Sequence, residues 1–339
     1  MKRFLKKLSL FGIPLLVFVA CYIYVMANMT GDLGNLGMIP FGSYEVGDKP
    51  DFVNYYDSFS LEEAKDADIV VIGDSFTNKN VNSYMNYLGN ELGKNVCHLY
   101  IDNTVMNPCA AANILIDNDL LPNCKILVLE SVERYTIWRL RDCFYGNKLV
   151  FEERDDNTSP KRRISVSKYL SLKMLSSFLK LSLNVDNPVK SLKLDADYFT
   201  GKYSKRLYFY APQTDGGGDL WYDRYDDETF AKAKSNLLKL RQKASDKGID
   251  FYFLMPSDKF DMYYEKVIGN PYPENPTFEY FSDIDTSWYV AGKQLLTPPL
   301  EDGVKDVYLK NDTHWSRIGA EMAGRHLARL IKLQHSEER

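Results

Sequence analysis

The stretch Ile69-Val-Val-Ile-Gly-Asp-Ser-Phe-Thr-Asn78 decides how the rest of the chain is read. Four apolar residues, all of them β-branched, run without polar alternation, the pattern of a short strand buried on both faces. The run stops at Gly73, which permits a tight bend, and Ser75 then stands on a strand-to-helix turn with the following backbone N–H groups beside it. In a doubly wound sheet, ligands bind at the carboxyl ends of the strands. A serine there is a weak nucleophile until a base takes its proton.

Only four histidines are present to supply that base. His335 sits in a charged C-terminal tail, His326 inside the last expected helix, and His98 within an expected strand between Cys97 and Leu99. His314 differs, because it occurs in YLKNDTHWSRIGAEMAG with Asp312 two residues before it and Trp315 just after. One pre-helical loop thus carries an orienting carboxylate, a base and an apolar wall. The bland reading of the same loop is that Asp312 and Ser316 cap the following helix.

Outward from these two segments, the periodicity predicts an α/β domain. Strands are expected at 68–72, 95–101, 125–130 and 249–255, and helices at 81–92, 108–117, 227–247 and 316–333. Continuous apolar strands separated by helices predict a doubly wound parallel sheet covered on both faces. The pattern lapses over about 144–225, where Arg162, Arg163, Lys168, Lys173 and Lys180 dominate, with an amphipathic helix expected at 167–183. That stretch reads as a basic insertion between the third and fourth strands, and "TDGGGD" at 214–219 as a loop.

The N-terminus places Lys2, Arg3, Lys6 and Lys7 before an uncharged stretch from Leu8 to Ala27, about the length of a bilayer-crossing helix. The positive-inside rule then leaves the N-terminus cytoplasmic and the body outside, at the periplasmic or outer face of the membrane. A cleaved signal ending near Ala27 and a lipoprotein site at Ala20-Cys21 stay open beside the signal anchor, and all three export the body. The chain divides into a transmembrane segment at 1–28, a glycine-containing irregular linker at 29–60 and a domain at 61–335. Cys97, Cys109, Cys124 and Cys143 either form two disulfides, in one of three pairings, or stay buried thiols. Their spacing argues against a metal site. The net charge of −4 and the lack of a recognition motif argue against nucleic-acid binding.

G-D-S-F after a first strand, with D-x-H-W before a last helix, resembles the SGNH (GDSL-like) hydrolase superfamily. The DTHW form and the segment FLMPSDKFDMYYE further resemble the AlgJ/AlgX-like alginate O-acetyltransferase family, in which a P-x-K-x-x-Y-like segment precedes D-T-H-W. The resemblance covers about 64–143 and 227–332. It implies that Ser75 is the acyl-carrying nucleophile, His314 the general base and Asp312 its orienting acid, with no metal or cofactor. Three features depart from the families. The order of the two motifs is the SGNH one, the reverse of the alginate enzymes; Asp312 and His314 are one residue closer than in the D-x-x-H of SGNH enzymes; and the third-strand G-x-N-D of SGNH enzymes is replaced by VLESVERY. Ser131 and Arg134 from that replacement are candidates for the second oxyanion donor, and Lys259 and Trp315 for substrate contacts.

The resemblance implies an extracytoplasmic carbohydrate O-acetyltransferase acting on a surface or exported polysaccharide, supplied with acetyl groups by an MBOAT-like membrane acyltransferase. An SGNH-type esterase with the same triad and a non-catalytic polysaccharide-binding protein are the alternatives.

Overall fold

Five short strands form one parallel sheet in the computed structural model, which describes residues 2–42, 61–77, 83–101, 106–145, 176, 179, 183, 187–211 and 225–337, without side-chain detail at 2–9 and 11. In chain order the strands are β1 Ile69–Gly73, β2 Val96–Tyr100, β3 Ile126–Glu130, β4 Val189–Lys193, β5 Arg206–Tyr210, β6 Asp250–Met255 and β7 Tyr289–Ala291. The sheet runs β2-β1-β3-β6-β7 with every pairing parallel, and β4 and β5 make a separate antiparallel hairpin. All residues of β1 and β3 are buried, as their unbroken apolar runs require. β7 was not foreseen; only three residues long, it is too short to show a period.

The order 2-1-3 turns the chain back on itself at β1, so a crevice opens between the carboxyl ends of β1 and β3. That crevice is where the Gly73–Ser75 bend lies. Besides the single turn Thr277–Tyr280, the described α-helices are α1 Lys2–Asn28, α2 Gly31–Gly37, α3 Leu61–Lys65, α4 Tyr84–Leu92, α5 Pro108–Asp117, α6 Glu133–Arg141, α7 Asp227–Asp246, α8 Lys259–Met262, α9 Gly292–Glu301 and α10 Arg317–Glu337. α10 packs along α4, while α5, α6 and α7 pack on one another. Several begin where the sequence offers a cap: Ser83 accepts from Met85 N–H, Asn107 from Cys109 N–H with Pro108 behind it, and Asp226 from Thr229 N–H.

Two expectations about the chain outside the sheet change. The segment expected as an irregular linker starts instead with α2, whose Leu33 is buried against Val189 and Tyr208 of the hairpin, with Ile39 and Phe41 packed beside them. Burial of these few apolar side chains overrides the weak helix propensity of a glycine-rich sequence; residues 43–60 lie outside the described residues. The helix expected at the N-terminus forms as α1, yet among the described residues no helix is long and apolar enough to cross a membrane. The amphipathic helix expected at 167–183 and the loop at 214–219 lie almost wholly outside the described residues.

No disulfide forms: Cys97, Cys109, Cys124 and Cys143 are buried free thiols and Cys21 is exposed. Each body cysteine is enclosed in the main core, Cys97 on β2 and Cys109 on α5. Burial pushes the Cys124 thiol up to about 12, so it is not a reactive thiolate. Alkylation of the native protein is therefore expected to modify Cys21 alone, and alkylation after unfolding without reductant all five. A mass showing cysteines blocked in the unfolded, unreduced chain would contradict the buried-thiol assignment.

Candidate active site

Ser75 opens the short helical turn Ser75–Thr77 that follows β1. The turn is held by its neighbours on both sides. Asp74 Oδ1 accepts from Phe76 N–H at 3.1 Å, and the Asp74 carbonyl accepts from Thr77 N–H at 3.1 Å and Thr77 Oγ1 at 2.6 Å. The Thr77 hydroxyl also meets His98 Nε2, which gives the buried His98 a structural partner. Gly73 has no room for a side chain, since a Cβ there would meet Glu130 Oε2 at 2.5 Å. That oxygen accepts from Asp74 N–H at 2.8 Å, so the end of β3 fixes the bend after β1.

Below the bend lies a buried ion pair. Arg139 on α6 donates to Asp74 Oδ2 at 2.6 Å and to Ser131 Oγ at 2.9 Å, and Thr136 donates to Ser131 as well. Burial alone would raise the Asp74 carboxyl, but the Arg139 charge and hydrogen bond outweigh it and hold Asp74 below the ordinary carboxylate range. Glu130, buried beside that negative charge, is pushed well above its ordinary value by desolvation first and by Asp74 second. The bend thus rests on two adjoining buried carboxyls shifted in opposite directions. Asp74 is a structural acid, its carboxylate bonded to the turn backbone and to Arg139. Ser131, a candidate for the oxyanion, is instead wholly buried in the Arg139 network.

The other half of the site comes from the loop before α10. Tyr308 and Trp315 form an antiparallel bridge, Leu309 N–H donates to the His314 carbonyl at 3.0 Å, and Ser316 N–H donates to the Val307 carbonyl at 2.9 Å. The cap of α10 is Ser316, whose Oγ accepts from Ile318 N–H at 3.0 Å, so Asp312 is left for a different task. Asp312 Oδ1 lies 2.6 Å from His314 Nδ1 and accepts from His314 N–H at 3.1 Å. His314 Nε2 lies 2.6 Å from Ser75 Oγ. The two segments singled out in the sequence therefore meet in a Ser–His–Asp relay with hydrogen-bond geometry at both links.

Trp315 does not face the opening. It is buried behind the relay, edge-on to Phe76 at 5.0 Å, while Phe76 lies 4.8 Å from the His314 ring. Lys259, at the carboxyl end of β6, is also buried, and its Nζ donates to the carbonyls of Lys310 at 2.9 Å and Asp312 at 3.1 Å. Desolvation brings its pKa down to about 7. It holds the loop bearing Asp312 and His314 from below. Arg134 pairs with the buried Asp258 and keeps part of its side chain accessible. It is close enough to disfavour protonation of His314.

Burial disfavours the charged imidazole, but the hydrogen bond and charge of Asp312, with the Asp32 charge behind it, raise His314 above its ordinary value. Asp32, unremarked in the sequence, is the unexpected member of the site: its Oδ2 lies 3.9 Å from His314 Nδ1. Asp32, Asp312 and His314 offer ligand atoms within 4.8 Å of one another, the spacing a cation would need. Both ring nitrogens of His314 are already committed, one to Asp312 and one to Ser75, so the donor set is arranged for proton transfer.

Residues 219–339 match the SGNH hydrolase-like domain of the acetyltransferase AlgX. That span holds Lys259, Asp312, His314 and Trp315, whereas Ser75 and Arg134 lie before it. Comparison with curated proteins and with solved structures gives no match. The SGNH-like assignment agrees with the parallel sheet and with a serine at the carboxyl end of its first strand.

The raised His314 sets a direction for pH dependence. The neutral ring is the form that accepts the Ser75 proton, so turnover of an activated acetyl ester is expected to fall as pH drops through a value above the ordinary histidine 6.5. Asp312→Asn is expected to move that acid limb to lower pH and to reduce the maximal rate roughly 10²- to 10⁴-fold. An acid limb at the same pH in wild type and variant would contradict the coupling.

Proposed function

We propose that this protein is a membrane-anchored, extracytoplasmic carbohydrate O-acetyltransferase in which Ser75 carries the acetyl group. The relay from Ser75 through His314 to Asp312 is the observation on which this reading rests. The AlgX-type acetyltransferase match of residues 219–339 favours acyl transfer to a polysaccharide among the reactions such a relay supports.

In the proposed cycle, Ser75 Oγ attacks the acetyl carbonyl of a donor while its proton passes to His314 Nε2. The Asp312 carboxylate stabilises the imidazolium that forms. The oxyanion faces the Ser75 N–H and the guanidinium of Arg134, and collapse expels the donor's leaving group, which takes the proton from His314. A sugar hydroxyl then gives its proton to His314 Nε2 and attacks the acyl-serine. The second tetrahedral adduct expels Ser75 Oγ, which recovers the proton. Water in place of the sugar would make the same site an esterase, so exclusion of water from the acyl-enzyme separates the two outcomes. Arg134→Gln is expected to lower kcat for an activated acetyl ester about 10²-fold, and an unchanged kcat would contradict the oxyanion role of Arg134.

Outside the cytoplasm the acetyl donor must be delivered through the membrane, which calls for an MBOAT-like acyltransferase partner. The anchoring part of the reading rests on the sequence, where basic residues precede the apolar stretch from Leu8 to Ala27.

The test gives the full-length protein an activated acetyl ester together with oligosaccharides and follows acetate and acetylated sugar by mass spectrometry. Ser75-dependent acetylation of the sugar is the expected result. Ser75-dependent acetate release without transfer would make the protein an esterase, and products equal in wild type and Ser75→Ala would make it a non-catalytic binding protein.

A further inference from the structure

We propose that Asp32, from the segment directly after the N-terminal helix, is a positioning residue of the catalytic relay, so that the active site is complete only with α2 docked on it. The inference rests on Ser75 and His314 acting as a nucleophile–base pair.

The contact between α2 and the catalytic loop is reciprocal. The Asp32 N–H donates to Asp312 Oδ2 at 3.0 Å, the oxygen that His314 does not use. The Asp32 carboxylate in turn accepts from Thr313 N–H at 2.8 Å and from the Thr313 hydroxyl. Leu33 N–H donates to the Asn311 carbonyl at 3.1 Å, and Asn311 Nδ2 donates to Thr30 Oγ1 at 2.7 Å. Residues 311 to 313 are therefore each bonded to residues 30 to 33. Both oxygens of Asp312 are held, one by His314 and one by α2, so the carboxylate cannot rotate away from the imidazole.

The segment is built for this approach. Gly31 has φ +72°, and a Cβ there would meet the Asn311 carbonyl oxygen at 2.1 Å. Only glycine satisfies both the left-handed backbone and the close passage. Leu33 is buried against the β4–β5 hairpin, which fastens α2 from its other side.

Asp32 also adds a second negative charge beside the imidazole. The groups facing His314 are Asp312 on its own loop, Asp32 on α2, Arg134 on α6 and Ser75 after β1, while Lys259 on α8 lies behind the two carboxylates. Asp32 and Asp312 favour the imidazolium; Arg134 opposes it. Burial and the neighbouring Asp312 raise the Asp32 carboxyl, with His314, Thr313 and Lys259 pulling it back down. A residue that positions the base and shares its charge must alter how the base titrates, which a merely structural residue would not.

The experiment labels Ser75 with a fluorophosphonate probe in the full-length protein and records the labelling rate against pH. This reads the nucleophile and base directly, whatever the acyl donor and acceptor. Asp32→Asn is expected to slow labelling roughly 10- to 100-fold at the plateau and to move its acid limb to lower pH. Gly31→Ala, which leaves the carboxylate in the chain but forces α2 off the loop, is expected to slow labelling in the same direction. Circular dichroism and thermal melting establish that each variant compared is folded. Labelling that persists in Ser75→Ala would overturn the catalytic reading itself. Ser75-dependent labelling with the wild-type rate and acid limb in a folded Asp32→Asn or Gly31→Ala protein would overturn the role of Asp32 alone.

Discussion

The 2.6 Å contact between His314 Nε2 and Ser75 Oγ joins residues 239 apart in sequence, and much of the fold is what makes that meeting rigid. A proton passes between two heavy atoms only when both are held to within a few tenths of an ångström. On one side the buried sheet fixes Ser75, because β1 is paired on both edges and its last residue abuts Glu130. On the other side the bridge between Tyr308 and Trp315 fixes the loop bearing His314. Phe76 lies against both His314 and Trp315, so apolar packing sets the separation across which the polar contact forms.

Charged groups beneath this surface are numerous and mostly enclosed. Asp74 pairs with Arg139, Asp258 with Arg134, and Lys259 donates to two carbonyls of the loop before α10. Burying such groups costs several kcal/mol per ion before pairing offsets it, so buried ion pairs are weak evidence for stability. What the ionic arrangement adds is direction. Arg139 ties β1's turn to α6, Arg134 ties α6 to the end of β6, and Lys259 ties α8 to the loop that presents Asp312. The three links connect the carboxyl ends of β1 and β6 with the loop before α10, the elements that surround the relay.

The frame of the domain was legible in the sequence because buried parallel strands write continuous apolar runs, and the helix at 108–117 was bounded by its own cap and proline. The relay was legible for a different reason: only four histidines exist, and one stands beside an acid in a pre-helical loop. Arg139, Glu130 and Lys259 gave weaker signals, since a buried ion pair depends on partners distant in sequence. Asp32 gave almost none. Its neighbours Gly31, Gly34 and Gly37 read as a linker, and their meaning depends on the surface of Asn311 and Val189, which no local pattern reveals. The cysteines likewise were undecided by count, and their enclosure in the core decided them.

The central claim is that Ser75 becomes acylated through His314. The most direct measurement quenches the full-length protein during turnover of an activated acetyl ester, digests it and sequences the peptides by mass spectrometry. One acetyl group on Ser75 in the wild type, lost in His314→Ala, is the result this account requires. Acetylation elsewhere, or acetyl-Ser75 forming equally fast without His314, would contradict it.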